Sequence, residues 1–276
     1  MISPSKNELL VAAIQMVSST RLDDNLATAA RLVGEAAKSG AKVIALPEYF
    51  CLMGAKDTDK VSIRESLGKG PIQEALQEIA QQNQIYLVGG TLPLVSPNPK
   101  KVLNTILVFN PSGDVIARYD KIHLFGYHAK NEHFEESETI EPGTQISQFS
   151  IEIDGIEWRF GLSICYDARF PELYRQQKAV DCQIIPAAFT HTTGQAHWEI
   201  LLRARSIENQ CYVLASAQGG MHENQRRTWG QTMLIDPWGK ITQELSEGSG
   251  WISGTLSKEK INKVRSKLPA LQHRKL

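Results

Sequence analysis

The chain has 276 residues, and its basic and acidic side chains balance at 30 each, so no long-range field draws it toward nucleic acid or an anionic membrane. Apolar residues at 42% and charged residues at 22% match an ordinary globular protein, long enough to bury a sizeable core without disulfides or metals. No run approaches the ~20 apolar residues that span a bilayer, and Met1 to Val17 lacks the pattern of a secretory leader.

Short apolar runs and amphipathic helices alternate from the start. Leu9–Gln15 reads as a buried strand. Asp23 or Asp24 caps a helix through Leu26, Ala29, Ala30, Leu32, Val33 and Ala36, which Gly40 stops. Lys42–Leu46 is a strand ending at Pro47, Pro71 opens a helix over Ile72–Gln82, and Ile85–Gly89 is again a strand. Val102–Phe109 and Val115–Tyr119 flank the turn Asn110-Pro111-Ser112-Gly113 and form a hairpin. The second half repeats this rhythm. A hairpin of Phe149–Ile153 and Glu157–Ile164 delivers Cys165, and a helix starts at Pro171. A strand at Gln183–Pro186, a helix from about Gln195 to Asn209 and a strand at Tyr212–Ala217 follow. Thr232–Ile235 and Lys240–Leu245 then form a hairpin around Asp236-Pro237-Trp238-Gly239. Two such halves predict two sheets face to face with helices outside. No linker or low-complexity segment interrupts them, so one domain is expected.

Three positions carry reactive groups just past buried strands. Gly161-Leu162-Ser163-Ile164-Cys165 ends a strand at a thiol, and a helix begins within about six residues. Such a turn exposes the thiol at a sheet edge, beside backbone N–H groups free to meet a ligand. The alternative for Cys165 is a small buried hydrophobe. Ala45-Leu46-Pro47-Glu48 places a carboxylate where an apolar pocket raises its pKa, and Tyr119-Asp120-Lys121 places an amine. Taken singly, Glu48 and Lys121 read more readily as solvated or structural charges than as catalytic ones.

Together, Leu46-Pro47-Glu48, Lys121-Ile122-His123-Leu124 and Cys165-Tyr166-Asp167 resemble the nitrilase (carbon–nitrogen hydrolase) superfamily, in this order and over about residues 8–274. The resemblance implies an α/β fold, a four-layer α-β-β-α sandwich. It implies one carbon–nitrogen hydrolase domain over residues 1–276, with a core at about 8–258 and a C-terminal helix and tail over 258–276. It also implies a thiol-dependent amidase in which Cys165 is the nucleophile, Glu48 the base, and Lys121 with the Tyr166 backbone N–H the oxyanion donors. A thiol near pKa 8.5 and a carboxylate near 4.3 differ by roughly four units, about 6 kcal/mol, which burial and Lys121 must close. Glu136 falls where the family places a second glutamate; Glu135 is the alternative.

The stretch from Thr192 to Asn209 resembles the Nit branch, which holds deaminated-glutathione amidases and omega-amidases acting on 2-oxoglutaramate. Ala217-Gln218-Gly219-Gly220-Met221-His222 and Leu268-Pro269-Ala270-Leu271-Gln272-His273-Arg274 lean toward deaminated glutathione. Phe134–Thr139 and Thr192-Thr193-Gly194 lean toward the omega-amidases. Nitrilases proper and carbamoylases are more distant: Tyr166-Asp167 replaces the Trp-Glu of the former, and Ala168-Arg169 the paired arginines of the latter. Arg169 either binds a substrate carboxylate or braces the turn against Glu172. Phe189 and Thr190 are expected in the pocket wall, with His191 and Thr192 nearby.

The other features read blandly. His123, His128 and His133 recur every five residues, which suits neither helical nor strand metal spacing, and His197 reads as a core or helix-start histidine. Cys51, Cys165, Cys182 and Cys211 form no Cys-x-x-Cys pair, which fits a reducing compartment and a cytoplasmic protein. The basic residues from Lys258 to Lys275 read as a solvated helix face and tail. The resemblance implies no cofactor and no metal, a small-molecule amide as the partner, and a homodimer or higher homo-oligomer through Pro171–Ala179 and the C-terminal tail.

Overall fold

Four-layer packing starts from strands that are apolar on both faces. In β1 (Glu8–Gln15), Val11 and Ala13 enter one core while Ala12 and Ile14 enter a second, and all four are fully buried. A strand alternates its side chains with period two, so such a strand needs a partner layer on each side. The computed structural model describes residues 7–129 and 132–275. Met1–Lys6, where the leader expectation begins, together with Lys130, Asn131 and Leu276, lie outside the described residues.

The first half supplies β2 (Val43–Ala45), β3 (Tyr86–Val88), β4 (Leu92–Val95), β5 (Val102–Phe109) and β6 (Val115–Asp120). A ribbon of β7 (Gly126–Ala129) and β8 (Glu132–Glu135) follows. The second half supplies β9 (Ser147–Ile153), β10 (Ile156–Leu162), β11 (Cys182–Ala187), β12 (Tyr212–Ala217), a ribbon of β13 (Gly219–Met221) and β14 (Arg227–Trp229), then β15 (Thr232–Ile235), β16 (Ile241–Leu245) and β17 (Gly250–Ser257). One sheet has the order β17-β1-β2-β3-β5-β4, with β6 on the other side of β5; the second has the order β16-β15-β12-β11-β10-β9.

Helices α1 (Leu22–Lys38) and α3 (Pro71–Asn83) cover the outer face of the first sheet, with Leu32, Val33, Leu76 and Ile79 in the second core; α2 (Asp59–Ser62) is a single turn between them in sequence. On the second sheet, α4 (Pro171–Gln176) packs on α5 (His191–Asn209), which lies against β12 and β15. Helix α6 (Lys258–Lys267) follows β17 and sends Ile261 into the central core. The fold is the α-β-β-α sandwich expected.

Several boundaries moved for physical reasons. Arg21, not Asp23 or Asp24, sits at the cap of α1, and the two aspartates lie in its first turn, where they complement the helix dipole. Helix α5 starts at His191, four residues before Gln195, because the Thr190 hydroxyl accepts the Thr193 N–H at 3.3 Å. Gly194 lets that first turn approach β14: a Cβ there would stand 2.2 Å from the Trp229 Cβ.

Strand direction positions the site. The β1-β2-β3 and β10-β11-β12 neighbours are parallel, so β2, β10 and β11 all end toward one rim. Glu48 follows β2, Cys165 follows β10 and Ala188 follows β11, as reactive groups do beyond the carboxyl ends of parallel strands.

Candidate active site

Glu48, Lys121 and Glu136 form one buried cluster. The Lys121 side chain is completely buried, and its ammonium donates to Glu48 Oε1 at 2.8 Å and to Glu136 Oε1 at 2.9 Å. Asn104 Nδ2 also donates to Glu48 Oε1, at 3.0 Å, while the Ala188 backbone N–H donates to Glu48 Oε2 at 2.9 Å. A carboxylate offers about four lone pairs, so these three donors leave one on Glu48, whose charge acts on the Cys165 thiol. Glu136 accepts from the Tyr49 hydroxyl at 2.7 Å and from the Phe125 N–H at 2.8 Å.

The charges explain the protonation states. Burial opposes a charged Lys121, but Glu136 and Glu48 outweigh it and hold the ammonium protonated well beyond its ordinary range. Burial likewise opposes ionised Glu136, and Lys121 outweighs it, so Glu136 stays below its ordinary value. Burial and the Glu48 carboxylate push the Cys165 thiol well above its ordinary value. With two carboxylates around one ammonium, a thiolate would add a second excess negative charge. The resting sulfur is therefore a neutral thiol.

The cysteine sits in strained backbone. Cys165 has φ of 49°, in the left-handed region, which costs a side-chain-bearing residue about 1–2 kcal/mol. Asp167, fully buried, holds that turn closed. Its Oδ2 accepts the Ile164 N–H at 2.8 Å and the Tyr119 hydroxyl at 2.7 Å, while Oδ1 accepts the His123 N–H at 3.0 Å. His123 Nδ1 lies 2.7 Å from the same Oδ1, and the imidazole stacks on Phe170 at 3.7 Å. Tyr49, beside Glu48, has φ of 55° and so is a second strained residue at the site. Strain of this kind concentrates at functional sites. A short 3-10 helix runs from Cys165 to Arg169, and the N–H groups of its first residues, Cys165 and Tyr166, have no intrahelical partner.

A narrow cavity reaches the sulfur, lined by Phe125, Tyr166, Arg169, Phe189, Thr190 and Thr193. Arg169, Phe189 and Thr190, expected as pocket residues, are all in this wall. The Arg169 guanidinium lies 5.5 Å from the Tyr166 ring centroid, 5.4 Å from that of Phe189 and 3.3 Å from His197 Nδ1. Its contacts are with these groups rather than with Glu172. His197 is exposed on α5 and is not a core histidine. Glu135 lies outside the cluster, facing Ser137 and, at 3.4 Å, His128 across the ribbon, so Glu136 is the glutamate brought to Lys121. His128 and His133 face each other at 2.8 Å on that ribbon; among the described residues no three His, Cys, Asp or Glu side chains are placed to hold a metal ion.

Sequence reasoning missed Asn104, Tyr49, Gln218 and the bracing role of Asp167. Gln218 Nε2 donates to the Glu48 carbonyl at 3.1 Å and to Ser18 Oγ at 2.8 Å, tying the Glu48 backbone to the segment that follows β12. Asp167 had a signal as part of Cys165-Tyr166-Asp167, and Gln218 as part of Ala217-Gln218-Gly219-Gly220-Met221-His222, though neither was given this role.

Two facing sheets with a thiol, a buried ammonium and two carboxylates at one rim are the architecture of hydrolases acting on carbon–nitrogen bonds other than peptide bonds. A family model described as carbon-nitrogen hydrolase matches residues 10–266, and the chain belongs to that family. It is 38% identical over 270 residues to the deaminated glutathione amidase of a Synechocystis species, covering 96% of this chain and 97% of that one. It is 34% identical over 268 residues to omega-amidase NIT2 of Mus musculus, covering 96% and 94%. Among solved structures, Saccharomyces cerevisiae Nit3, a member of branch 10 of the nitrilase superfamily, superposes with a TM-score of 0.83 at 31% identity over 97% of each chain. The chain is an amidase of the nitrilase superfamily. Among the described residues, no helix is long and apolar enough to cross a membrane.

Proposed function

We propose that this amidase hydrolyses deaminated glutathione, the tripeptide whose glutamyl α-amino group is replaced by an oxo group, through a thioester on Cys165. The observation that carries the mechanism is the buried Glu48–Lys121–Glu136 cluster, whose charges act on the Cys165 thiol. Glu48 takes the thiol proton as the sulfur attacks the amide carbon. The carbonyl oxygen becomes an oxyanion, met by the Tyr166 N–H and the remaining hydrogen of Lys121, each such donor typically worth ~3–4 kcal/mol. Collapse expels the amine, which takes its proton from Glu48, and leaves the thioester. Water held by Glu48 and Glu136 then gives its proton to Glu48, adds to the thioester carbon, and releases 2-oxoglutarate and the thiol.

Arg169, at the cavity wall, binds the carboxylate of the oxo-acid arm, with Phe189 and Thr190 confining that arm. Substrate choice leans on the Synechocystis relative, whose name specifies deaminated glutathione. The narrowness of the cavity favours a second reading, an omega-amidase on 2-oxoglutaramate, in keeping with the mouse relative. Both substrates yield 2-oxoglutarate, so enzymatic detection of that product with each in turn decides between them. A higher kcat/KM on deaminated glutathione supports the first reading, the reverse supports the second, and no product from either defeats both.

We further propose one hydrolase domain, a cytoplasmic location and a homodimer or higher assembly. Tyr174, Lys178, Leu271 and Arg274 line one surface cavity, so the helix and tail nominated for pairing are contiguous. Sedimentation velocity of the full chain tests the assembly; a monomer at micromolar concentration refutes it.

A further inference from the structure

A second cavity, about 610 Å³, opens beside the one that reaches Cys165. The two share Thr190, and Phe134 in the outer wall packs against Phe125 in the inner wall with ring centroids 5.7 Å apart. Nothing in the proposed chemistry at Cys165 uses this outer space, and ammonia, the amine released from a primary amide, would not need it.

Its wall contains an unsatisfied cation. The Arg226 guanidinium stacks on Phe134 at 5.2 Å from the ring centroid, and Nη1 lies 3.9 Å from Met53 Sδ. Its Nε is buried without a hydrogen-bond partner, and among the described residues Arg226 has no carboxylate within ion-pairing distance. A buried charged donor left unpaired is costly and calls for a physical reason. The neighbouring charges do not cancel this one. Lys56 adds a second cation to the wall, Arg227 is engaged by Glu247 at 3.5 Å, and Asp57 stands 3.9 Å from the Lys60 ammonium.

The arginine is also held in place from behind. The Arg226 N–H donates to Asn224 Oδ1 at 3.0 Å, and Asn224 Nδ2 donates to the Gly54 carbonyl at 2.6 Å, pinning the turn between β13 and β14 to the loop across the cavity. The Arg226 carbonyl accepts the His222 N–H at 2.9 Å. His222 is itself fixed: Nδ1–H donates to the Ser18 carbonyl at 2.9 Å, and Nε2 accepts from the Thr228 hydroxyl at 2.8 Å. A planar guanidinium presented this way suits bidentate recognition of a carboxylate.

We infer that the outer cavity is a leaving-group subsite in which Arg226 binds the carboxylate of an amine product that is itself a short peptide. This rests on the proposed action on deaminated glutathione, whose departing cysteinylglycine ends in a carboxylate. The subsite makes the protein selective for amides with an anionic leaving group over neutral ones.

The test compares deaminated glutathione with the same molecule carrying a glycinamide in place of the terminal glycine, both followed by 2-oxoglutarate release. Wild-type protein is expected to favour the free carboxylate by about 10- to 100-fold in kcat/KM, the range of one charged hydrogen-bonded contact. Arg226→Met should collapse that ratio to near one, and Arg226→Lys should restore part of it. A general loss of packing lowers both rates together and leaves the ratio alone, so the readout separates recognition from damage. Equal wild-type rates on the two substrates, or an unchanged ratio in Arg226→Met, overturns the subsite while leaving the parent function standing. No turnover of either substrate by wild-type protein overturns the parent function and the subsite with it.

Discussion

Asp167→Asn removes one charge and little volume from the turn that bears Cys165, and its cost follows from a count of donors. The carboxylate accepts the Ile164 N–H and the Tyr119 hydroxyl on one oxygen and the His123 N–H on the other, with His123 Nδ1 also at hydrogen-bond distance. Asparagine keeps a single acceptor oxygen. With that oxygen toward Ile164 and Tyr119, its amide NH₂ meets the His123 N–H donor to donor. An orphaned buried donor costs about 1–3 kcal/mol, and the remaining bonds weaken as they lose their charged acceptor, so about 3 kcal/mol is expected in total. In a chain of this size that lowers Tm by about 6–12 °C. Because the same bonds hold Cys165 in its left-handed conformation, kcat should also fall by about 100-fold, the scale associated with a ~1 Å misplacement of a reacting group. Calorimetry and steady-state 2-oxoglutarate release check both. A variant with wild-type Tm and kcat would refute the bracing role.

Lys121→Met leaves Glu48 and Glu136 buried without their cation and should cost about 3–5 kcal/mol at neutral pH. Urea titrations should show that loss shrinking as the pH is lowered and the carboxylates protonate; a pH-independent loss would contradict it. Burial pushes the Cys51 thiol from 9.0 up to about 12, so stability tied to its neutral form is present below pH 9 and is lost as pH rises toward 12. Relative to Cys51→Ala, the wild type should therefore lose an additional ~1.4 kcal/mol per pH unit in that window, measurable by chemical denaturation. Gly194→Ala drives a Cβ into Trp229 and should cost about 1–3 kcal/mol. It should also raise KM through Thr190 and Thr193, whereas an unchanged KM would separate α5 from the substrate cavity.

Much of the fold was legible because its strands are buried and Pro opens α3 and α4. The run from Leu9 and the stretch from Tyr212 to Ala217 are continuous apolar segments, and the structure returns them nearly unchanged as β1 and β12. What escaped lacks that signature. Strand β4 carries Pro93, and β17 mixes Gly250, Ser253, Gly254 and Thr255 with only two buried residues, so neither has a clean alternation. The ribbons β7–β8 and β13–β14 are held by backbone pairing at the rim rather than by an apolar face.

The candidate site divides in the same way. Glu48, Lys121 and Cys165 stand in short signatures, and their order along the chain revealed them before any distance was known. Glu136 was preferred only through the family resemblance, with Glu135 left open, because which one faces Lys121 depends on where β8 ends. Asn104 sits in a strand with no local motif, Gln218 stands in a segment read only for substrate class, and only the meeting of the two sheets at one rim brings them to Glu48. Arg226 was equally silent: a basic residue in a polar turn becomes notable only when its Nε is buried without a partner.

The central claim is that the Cys165 sulfur forms the bond to substrate, and the most direct test is 2-oxoglutarate release by Cys165→Ala beside wild-type protein on deaminated glutathione and 2-oxoglutaramate. The account predicts turnover by the wild type and none above background in the variant, with the variant still folded by calorimetry. A folded Cys165→Ala protein that retains even a few per cent of wild-type kcat would contradict it.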